Sequence, residues 1–389
     1  MTPSPTQSAS GSAPSAEISL TPRRQRAKGP GRWTHPFIYA GARAMCAAAG
    51  IMGIERSIRL ARSVSGWYAG LSMNERRLER AKVNLRWCFP DLDEDRVHAR
   101  AIEAYRHLFT IGVEVMASPQ LIASDAYVSY VQVGSVEAGL KELLRDRPCL
   151  LVTGHCGNWE LLGATMAMLG FPMHALYRPM DIKPLNDWLY RTRAARGIKL
   201  VDKFGAAQRL PELLKQGESV AFIADQNAGD RGLFVPFFNR LASAYKTIGV
   251  MAMRYRAPIV CGTAKRLSGG AEASDESAQE NHRFRYQIDI SDVIQPEDWD
   301  DQPDPLFYIT ARYRRAIEFM VREAPEQYLW MHRYWKSRPR HERTGAPFPD
   351  RLREKIRSLP WMTDEDLARI EERSAIDAEE YARSGRPRR

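Results

Sequence analysis

His155 and Glu160 are the residues whose types and spacing suit catalysis: an imidazole that can take a proton at neutral pH, and a carboxylate that can orient it. They lie in Thr153-Gly154-His155-Cys156-Gly157-Asn158-Trp159-Glu160. On one continuous helix, positions five apart diverge by roughly 140°, so the pair could not meet there. The apolar run Pro148–Val152 predicts a buried strand, and Trp159–Leu169, closed by Gly170, predicts a helix. That puts His155 in a strand-to-helix turn and Glu160 in the first helical turn, where they can approach. Gly154 and Gly157 are expected to leave the backbone open for a substrate and for the N–H groups of the helix start. Base, orienter and oxyanion donors would then share one place. The spacing alone also suits a structural histidine and a glutamate favoured by the helix dipole.

Other candidates follow predicted strands or end predicted helices. Arg178 closes the run Met173–Tyr177, and Asp225 and Gln226 follow Ser219–Ala224. In an open α/β sheet the carboxyl ends of strands form the functional edge. Arg193 lies near the end of the helix predicted over Ile182–Arg196, where the dipole also favours a cation. Asn158 at the helix start is a further candidate donor. Cys156 beside the histidine is a weak candidate for nucleophile or metal ligand, since neighbouring side chains diverge and no second ligand cluster accompanies it. The chain has no G-x-S-x-G elbow, no Walker loop, no G-x-G-x-x-G after a strand and no H-E-x-x-H. What remains is a histidine base with a carboxylate helper and no evident covalent nucleophile, metal or cofactor.

These residues need a scaffold, and the chain supplies one. Its 389 residues are 44% hydrophobic and 27% charged, which suits one large globular domain or two modest ones. Apolar runs at Tyr127–Val133, Cys149–Val152, Met173–Tyr177, Ile198–Val201, Ser219–Ala224, Pro258–Thr263 and Arg283–Ile290 alternate with helical stretches at Trp159–Leu169, Ile182–Arg196, Ala206–Lys215 and Ser243–Arg256. The alternation predicts an α/β fold, a central mixed sheet flanked by helices, over residues 119–340. Residues 1–31 are Ser-, Pro- and Ala-rich and contain the basic cluster Arg23–Lys28, which reads as a disordered tail. Residues 32–118 read as a helical layer. Pro36–Ile54 is long enough to span a bilayer but contains Arg43 and many alanines and glycines, so an interfacial helix beside the basic cluster is the better expectation; a soluble helical hairpin is the alternative. Ser268–Asn281 reads as a surface loop. The charged residues 341–389, with a helix over Asp364–Arg373, read as solvated packing or tail.

The net charge of +10 favours an anionic partner: an acidic carrier protein, an anionic membrane or nucleic acid. Nucleic acid is the weakest of these, because no zinc-finger spacing or RNP-type motif is present. Five scattered cysteines without a C-x-x-C pair favour a reducing compartment. The apolar run Leu233–Phe238 either packs into the core or lines a groove for a greasy ligand.

Taken in order, Asn84–Pro90, Thr153–Glu160, Tyr177-Arg178-Pro179, Arg193 with Gly197, Ala224-Asp225-Gln226, Phe234–Phe238 and Ala324-Pro325-Glu326-Gln327-Tyr328-Leu329-Trp330-Met331-His332-Arg333 resemble the bacterial lipid A biosynthesis (lauroyl/myristoyl) acyltransferases of the lysophospholipid acyltransferase superfamily. The resemblance covers about residues 35–340 and implies a glycerolipid acyltransferase-like fold. It also implies that His155 and Glu160 form the catalytic dyad and that Arg193 is functionally important. The protein would work at the cytoplasmic face of the inner membrane, moving an acyl chain from acyl carrier protein or acyl-CoA to a glycolipid hydroxyl. His155 would deprotonate the acceptor and Glu160 would hold the imidazole. Helix-start N–H groups, with Asn158 or Arg193, would receive the oxyanion. The chain departs from the family at Asn239 and at Ala242–Lys246, near the expected acceptor site. The acceptor is therefore a lipid A precursor or another lipid. A thioester hydrolase, a catalytically silent glycolipid-binding relative and a membrane-surface scaffold are the competing readings.

Overall fold

Strand β2 (Leu150–Thr153) ends at the turn that carries His155, and it occupies the middle of a seven-stranded sheet. The computed structural model describes residues 31–121, 127–267 and 284–384. The chain enters through helices α1 (His35–Met52), α2 (Ile54–Ala69), α3 (Glu75–Cys88) and α4 (Glu94–Leu121). There follow β1 (Val131–Val133), α5 (Glu137–Leu143), β2, α6 (Trp159–Met168), β3 (His174–Tyr177), α7 (Lys183–Ala194), β4 (Lys199–Asp202), α8 (Ala206–Lys215) and β5 (Val220–Ile223). A hairpin, β6 (Leu233–Phe237) and β7 (Arg240–Ala244), leads to α9 (Lys246–Tyr255), β8 (Ile259–Arg266) and β9 (Tyr286–Ile294). The chain closes with α10 (Glu297–Asp300), α11 (Pro305–Glu323), α12 (Arg340–Thr344), α13 (Asp350–Arg357) and α14 (Asp364–Ser384).

The sheet order is β1-β9-β8-β2-β5-β3-β4. β8, β2, β5, β3 and β4 run parallel, whereas β9 is antiparallel to β8 and carries β1 parallel to itself. This is the mixed sheet the alternation predicts. Because β2, β5, β3 and β4 point one way, the residues after Thr153, Ile223, Tyr177 and Asp202 emerge on one edge. One face of β2 is buried through Leu150 and Val152, and the other is partly covered at Leu151, so the strand reads as a continuous apolar run rather than an alternating one.

Two segments differ from the sequence reading. Ser243 and Ala244 belong to β7 rather than to a helix, because they pair with Phe234 and Leu233 across the hairpin. That pairing also decides the aromatic run: Phe237 and Phe238 are buried, so this end of the run is core. The charged C-terminal region is not a solvated tail. α14 runs to Ser384, buries Leu367, Ile370, Ser374 and Asp377, and contacts both α12 and β7. The predicted basic tail and the loop Ser268–Asn281 lie outside the described residues.

Candidate active site

The turn after β2 is held by its own helix cap and by two neighbours, Ala264 and Gln327. Asn158 caps α6, its Oδ1 accepting the Leu161 N–H at 3.0 Å. The Asn158 N–H donates to the Ala264 carbonyl of β8 at 2.8 Å, and the Gly157 N–H donates to the Gln327 carbonyl at 2.9 Å. Gln327 also clasps the end of β8: its Oε1 accepts the Arg266 N–H at 2.8 Å and its Nε2 donates to the Arg266 carbonyl at 2.9 Å. The Pro-Glu-Gln-Tyr segment thus ties the last strand of the parallel block to the histidine turn.

Both glycines serve this packing rather than an open approach for substrate. Gly157 has φ +56, and a Cβ there would lie 2.2 Å from the Ala264 carbonyl oxygen. A Cβ on Gly154 would meet Ile317 at 2.8 Å. The close approach that glycine permits is made by the protein's own β8 and α11.

His155 meets Asp225. Its Nδ1 lies 2.7 Å from Asp225 Oδ1, and its backbone N–H donates to Oδ2 of the same carboxylate at 2.8 Å. Asp225 is fully buried. Burial pushes its carboxyl up, but the charge and hydrogen bonds of His155, with Arg314 behind them, outweigh that and hold it at about 2. The aspartate is therefore ionised at neutral pH. A carboxylate at Nδ1 places the imidazole proton there and leaves Nε2 as the basic nitrogen. The histidine side chain is 14% exposed, and its ring lies against Trp159 and His332 with centroids 5.0 and 4.9 Å away. Burial and the neighbouring His155 lower His332 to about 4, so it stands beside the site as a neutral imidazole.

Glu160 takes a different partner from the one expected. Arg193 engages it with both Nε, at 2.9 Å, and Nη2. The contact with the imidazole expected of Glu160 is made by Asp225 for a geometric reason: β5 is hydrogen-bonded to β2, so the carboxylate just past β5 arrives beside the histidine just past β2. Glu160 starts a helix directed away and meets α7 instead. The other candidate residues sort similarly. Asn158 is buried, and its Nδ2 donates to Glu114 Oε2 at 2.9 Å, which commits it to the interior. Arg178 is exposed at the carboxyl end of β3, on the same sheet edge but two strands from β2. Gln226 follows Asp225 and is half-buried.

Three supporting groups carried no signal strong enough to find in the sequence. Arg314 of α11 is fully buried behind Asp225, donating to the Ala224 carbonyl at 3.1 Å with its guanidinium 3.9 Å from the Phe237 ring. Glu114 of α4, also fully buried, accepts from Arg266 at 3.0 and 2.8 Å and from the Tyr286 hydroxyl. His107 is held neutral by burial and by Arg266. Arg266 Nη1 lies 3.3 Å from His107 Nδ1, which leaves Nε2–H to donate to the Gly157 carbonyl at 3.1 Å. A mid-helix Glu or His on an apolar face gives no warning of such a network. Cys156 is buried and its thiol is pushed up to about 12 by burial and then by Asp225, so it supplies no thiolate. No group of three or more potential metal ligands occurs among the described residues.

His155 and the buried Asp225 thus meet at the carboxyl edge of the parallel block, an arrangement chemically suited to moving a proton, and the neighbouring Cys156 offers no thiolate. The profile of the bacterial lipid A biosynthesis acyltransferases matches residues 21–337, and the chain belongs to that family. It is 28% identical over 267 residues to the lipid A biosynthesis palmitoleoyltransferase of Escherichia coli K12, covering 68% of this chain and 80% of the relative. It is 26% identical over 272 residues to the lauroyltransferase of the same organism, covering 69% and 82%. Among solved structures, the 1-acyl-sn-glycerophosphate acyltransferase PlsC of Thermotoga maritima aligns at a TM-score of 0.32 and 13% identity, over 68% of this chain and 97% of that one.

Proposed function

We propose that the protein transfers a fatty acyl chain from an acyl thioester, carried by acyl carrier protein or CoA, to a hydroxyl of a glycolipid such as a lipid A precursor. The observation that carries this reading is the 2.7 Å contact between His155 Nδ1 and Asp225. It leaves Nε2 to take the acceptor proton as the hydroxyl oxygen attacks the thioester carbonyl. The ionised aspartate stabilises the imidazolium that results. That proton then passes to the departing thiolate, the new ester bond is complete, and no acyl-enzyme forms. Glu160, in the first turn of the helix that follows His155, and its partner Arg193, in the last turn of α7, position substrate rather than the imidazole.

A membrane setting is supported by the outer surface of the N-terminal layer. Trp33, Phe37, Met45, Ile51, Leu60 and Trp67 are all more than half exposed, on or beside α1 and α2. Arg43, Arg56 and Arg59 lie on the same two helices. No helix among the described residues is long and apolar enough to cross a bilayer. Apolar rings with interleaved arginines suit a helix pair lying in the headgroup region at an anionic cytoplasmic face of the inner membrane.

The decisive experiment incubates detergent-solubilised protein with labelled acyl thioesters, with and without candidate glycolipid acceptors, and identifies products by mass. An acylated lipid formed only when acceptor is present supports the proposal. Free fatty acid as the main product with every acceptor would identify a thioester hydrolase, and no turnover of any donor would identify a binding relative.

A further inference from the structure

Next to the histidine turn lies a cleft of about 580 Å³ that the mechanism above leaves without a task. Its walls come from α3, from the segment Asn227–Asp230 beyond β5, from Arg240 of β7, from the chain between Arg333 and Arg343, and from Tyr381 of α14. It adjoins the reacting groups through the chain itself: Asn227 is two residues past Asp225, and Arg333 directly follows His332, whose ring lies 4.9 Å from that of His155.

The lining is unbalanced in charge. Arg80, Arg240, Arg333, Lys336, Arg338 and Arg343 face a single carboxylate, the exposed Asp230. Two of the cations are neutralised from behind: Arg240 by Asp377 at 2.7 Å, and Arg338 by Glu342 and Asp377 at 2.5 and 2.6 Å. For the other four, no carboxylate among the described residues comes within salt-bridge distance. Two donors are also unspent. Arg240 is 3% exposed yet its Nη1 has no hydrogen-bond partner among the described residues, and neither has the buried Nε of Arg80. A buried guanidinium N–H without an acceptor is costly unless something else supplies one. The cations also crowd one another: burial and then Arg333 and Arg77 lower Arg80, and burial and then Arg338 bring Arg240 down to about 10.

We propose that this cleft binds a phosphate group of a substrate, with Arg80, Arg333, Lys336 and Arg343 closing around the phosphate oxygens and Arg240 Nη1 at its base. The proposal rests on the acyl-transfer reading for which substrate brings the phosphate, and on the cleft alone for the chemistry bound. A polyvalent oxyanion with several acceptor oxygens suits several guanidinium forks. The volume is that of a small-molecule site rather than of a lone ion. Two substrates of the proposed reaction can carry such a group: a phosphorylated glycolipid headgroup, or the phosphopantetheine or nucleotide part of the thioester donor.

The test uses the full chain in detergent and the triple variant R333A/K336A/R343A, whose three residues are exposed and outside the core. An unchanged melting temperature checks the fold. Inorganic pyrophosphate is the binding probe, titrated at low ionic strength, and its Kd should rise by about tenfold or more in the variant. Two kinetic arms locate the source. One compares KM for a phosphorylated disaccharide glycolipid with KM for its phosphatase-treated form, and the other compares acyl-CoA with a phosphate-free acyl-N-acetylcysteamine thioester. In the wild type the phosphorylated partner should have the lower KM in one arm, and in the variant that ratio should fall toward one. A change in the acceptor arm assigns the cleft to the headgroup, and a change in the donor arm assigns it to the donor. Pyrophosphate bound equally by both proteins, or not bound by the wild type, would overturn the site. Pyrophosphate binding lost on substitution, with no acylated product from the wild type and any acceptor, would leave the site standing and remove the acyl-transfer reading.

Discussion

Asp225 holds His155 at two points, accepting from the backbone N–H at 2.8 Å and contacting ring Nδ1 at 2.7 Å. One buried carboxylate therefore sets both the position of the turn and the orientation of the imidazole. Asp225→Asn keeps the shape but removes the charge, and its amide can present N–H to Nδ1, which selects the wrong tautomer. Acyl transfer should fall by about 10² to 10⁴, comparable to His155→Ala. The double variant should be little worse than either single one, because the two act as a unit. A rate for Asp225→Asn within about twofold of wild type would remove the aspartate from the mechanism.

The Glu160–Arg193 pair makes a separate prediction. If Glu160 acts through Arg193, then Glu160→Gln and Arg193→Ala should raise KM by similar factors, and the double variant should show strong non-additivity. The pH dependence of kcat should keep its shape, since the imidazole is held by Asp225. A displaced pH profile in Glu160→Gln alone would restore Glu160 as the partner of His155 in solution.

The chain announces its sheet clearly. Buried parallel strands such as Leu150–Thr153 are short apolar runs closed by turn residues, and α8 follows its helical periodicity from Ala206 to Lys215. The location of His155, Asp225 and Arg178 on one edge was legible for the same reason. What local pattern cannot give is strand order. Only when β5 is known to lie beside β2 does Asp225, rather than the nearer Glu160, become the partner of His155. The docking of α14 was hidden for a related reason. Its buried face includes Ser374 and Asp377, and a charged residue in sequence reads as solvated until its buried partner is known.

The exposed rings of the first two helices should anchor the protein. Replacing Trp33, Phe37, Met45 and Trp67 together with serine removes apolar surface that no part of the described chain covers, so fold stability should change little. The fraction bound to vesicles containing anionic lipid should drop sharply, and high salt should release wild type only in part if ring insertion dominates. Equal sedimentation of the two proteins with vesicles would place the anchor elsewhere.

Stability should decline as pH falls from about 6.5 to about 4. Burial lowers His332 and His341 to about 4, and lowers His174 and His107 as well. The unfolded chain takes up these protons near pH 6.5, so over this window it binds more protons than the folded chain, and stability is lost on acidification. Asp225 acts later. Its carboxyl, held at about 2, contributes stability that is complete above about pH 4 and disappears as pH falls through 2. Urea midpoints measured from pH 7.5 to 4 should therefore fall steadily, and a flat profile would contradict the buried neutral histidines.

The C-terminal helix should prove part of the folded unit because of Asp377. This aspartate is 3% exposed and receives Arg240 through two contacts of 2.7 Å, Arg338 at 2.6 Å and Arg373 at 2.6 Å. Arg240 belongs to β7, stacks 3.6 Å above the Trp87 ring and lines the basic cleft, so the ion cluster joins the last helix to the hairpin, to α3 and to the cleft wall. Asp377→Ala leaves two buried guanidinium groups without their shared counterion. The expected loss is about 3–5 kcal/mol, well above that of a surface ion pair. Truncation after Gly345 should be at least as damaging, since it also removes Leu367 and Ile370 from the core and exposes the apolar surface they cover. Asp377→Asn retains the size and part of the hydrogen bonding and should fall between wild type and Asp377→Ala. Chemical denaturation of the three full-length proteins tests the order, and an Asp377→Ala variant as stable as wild type would return α14 to the status of an appendage.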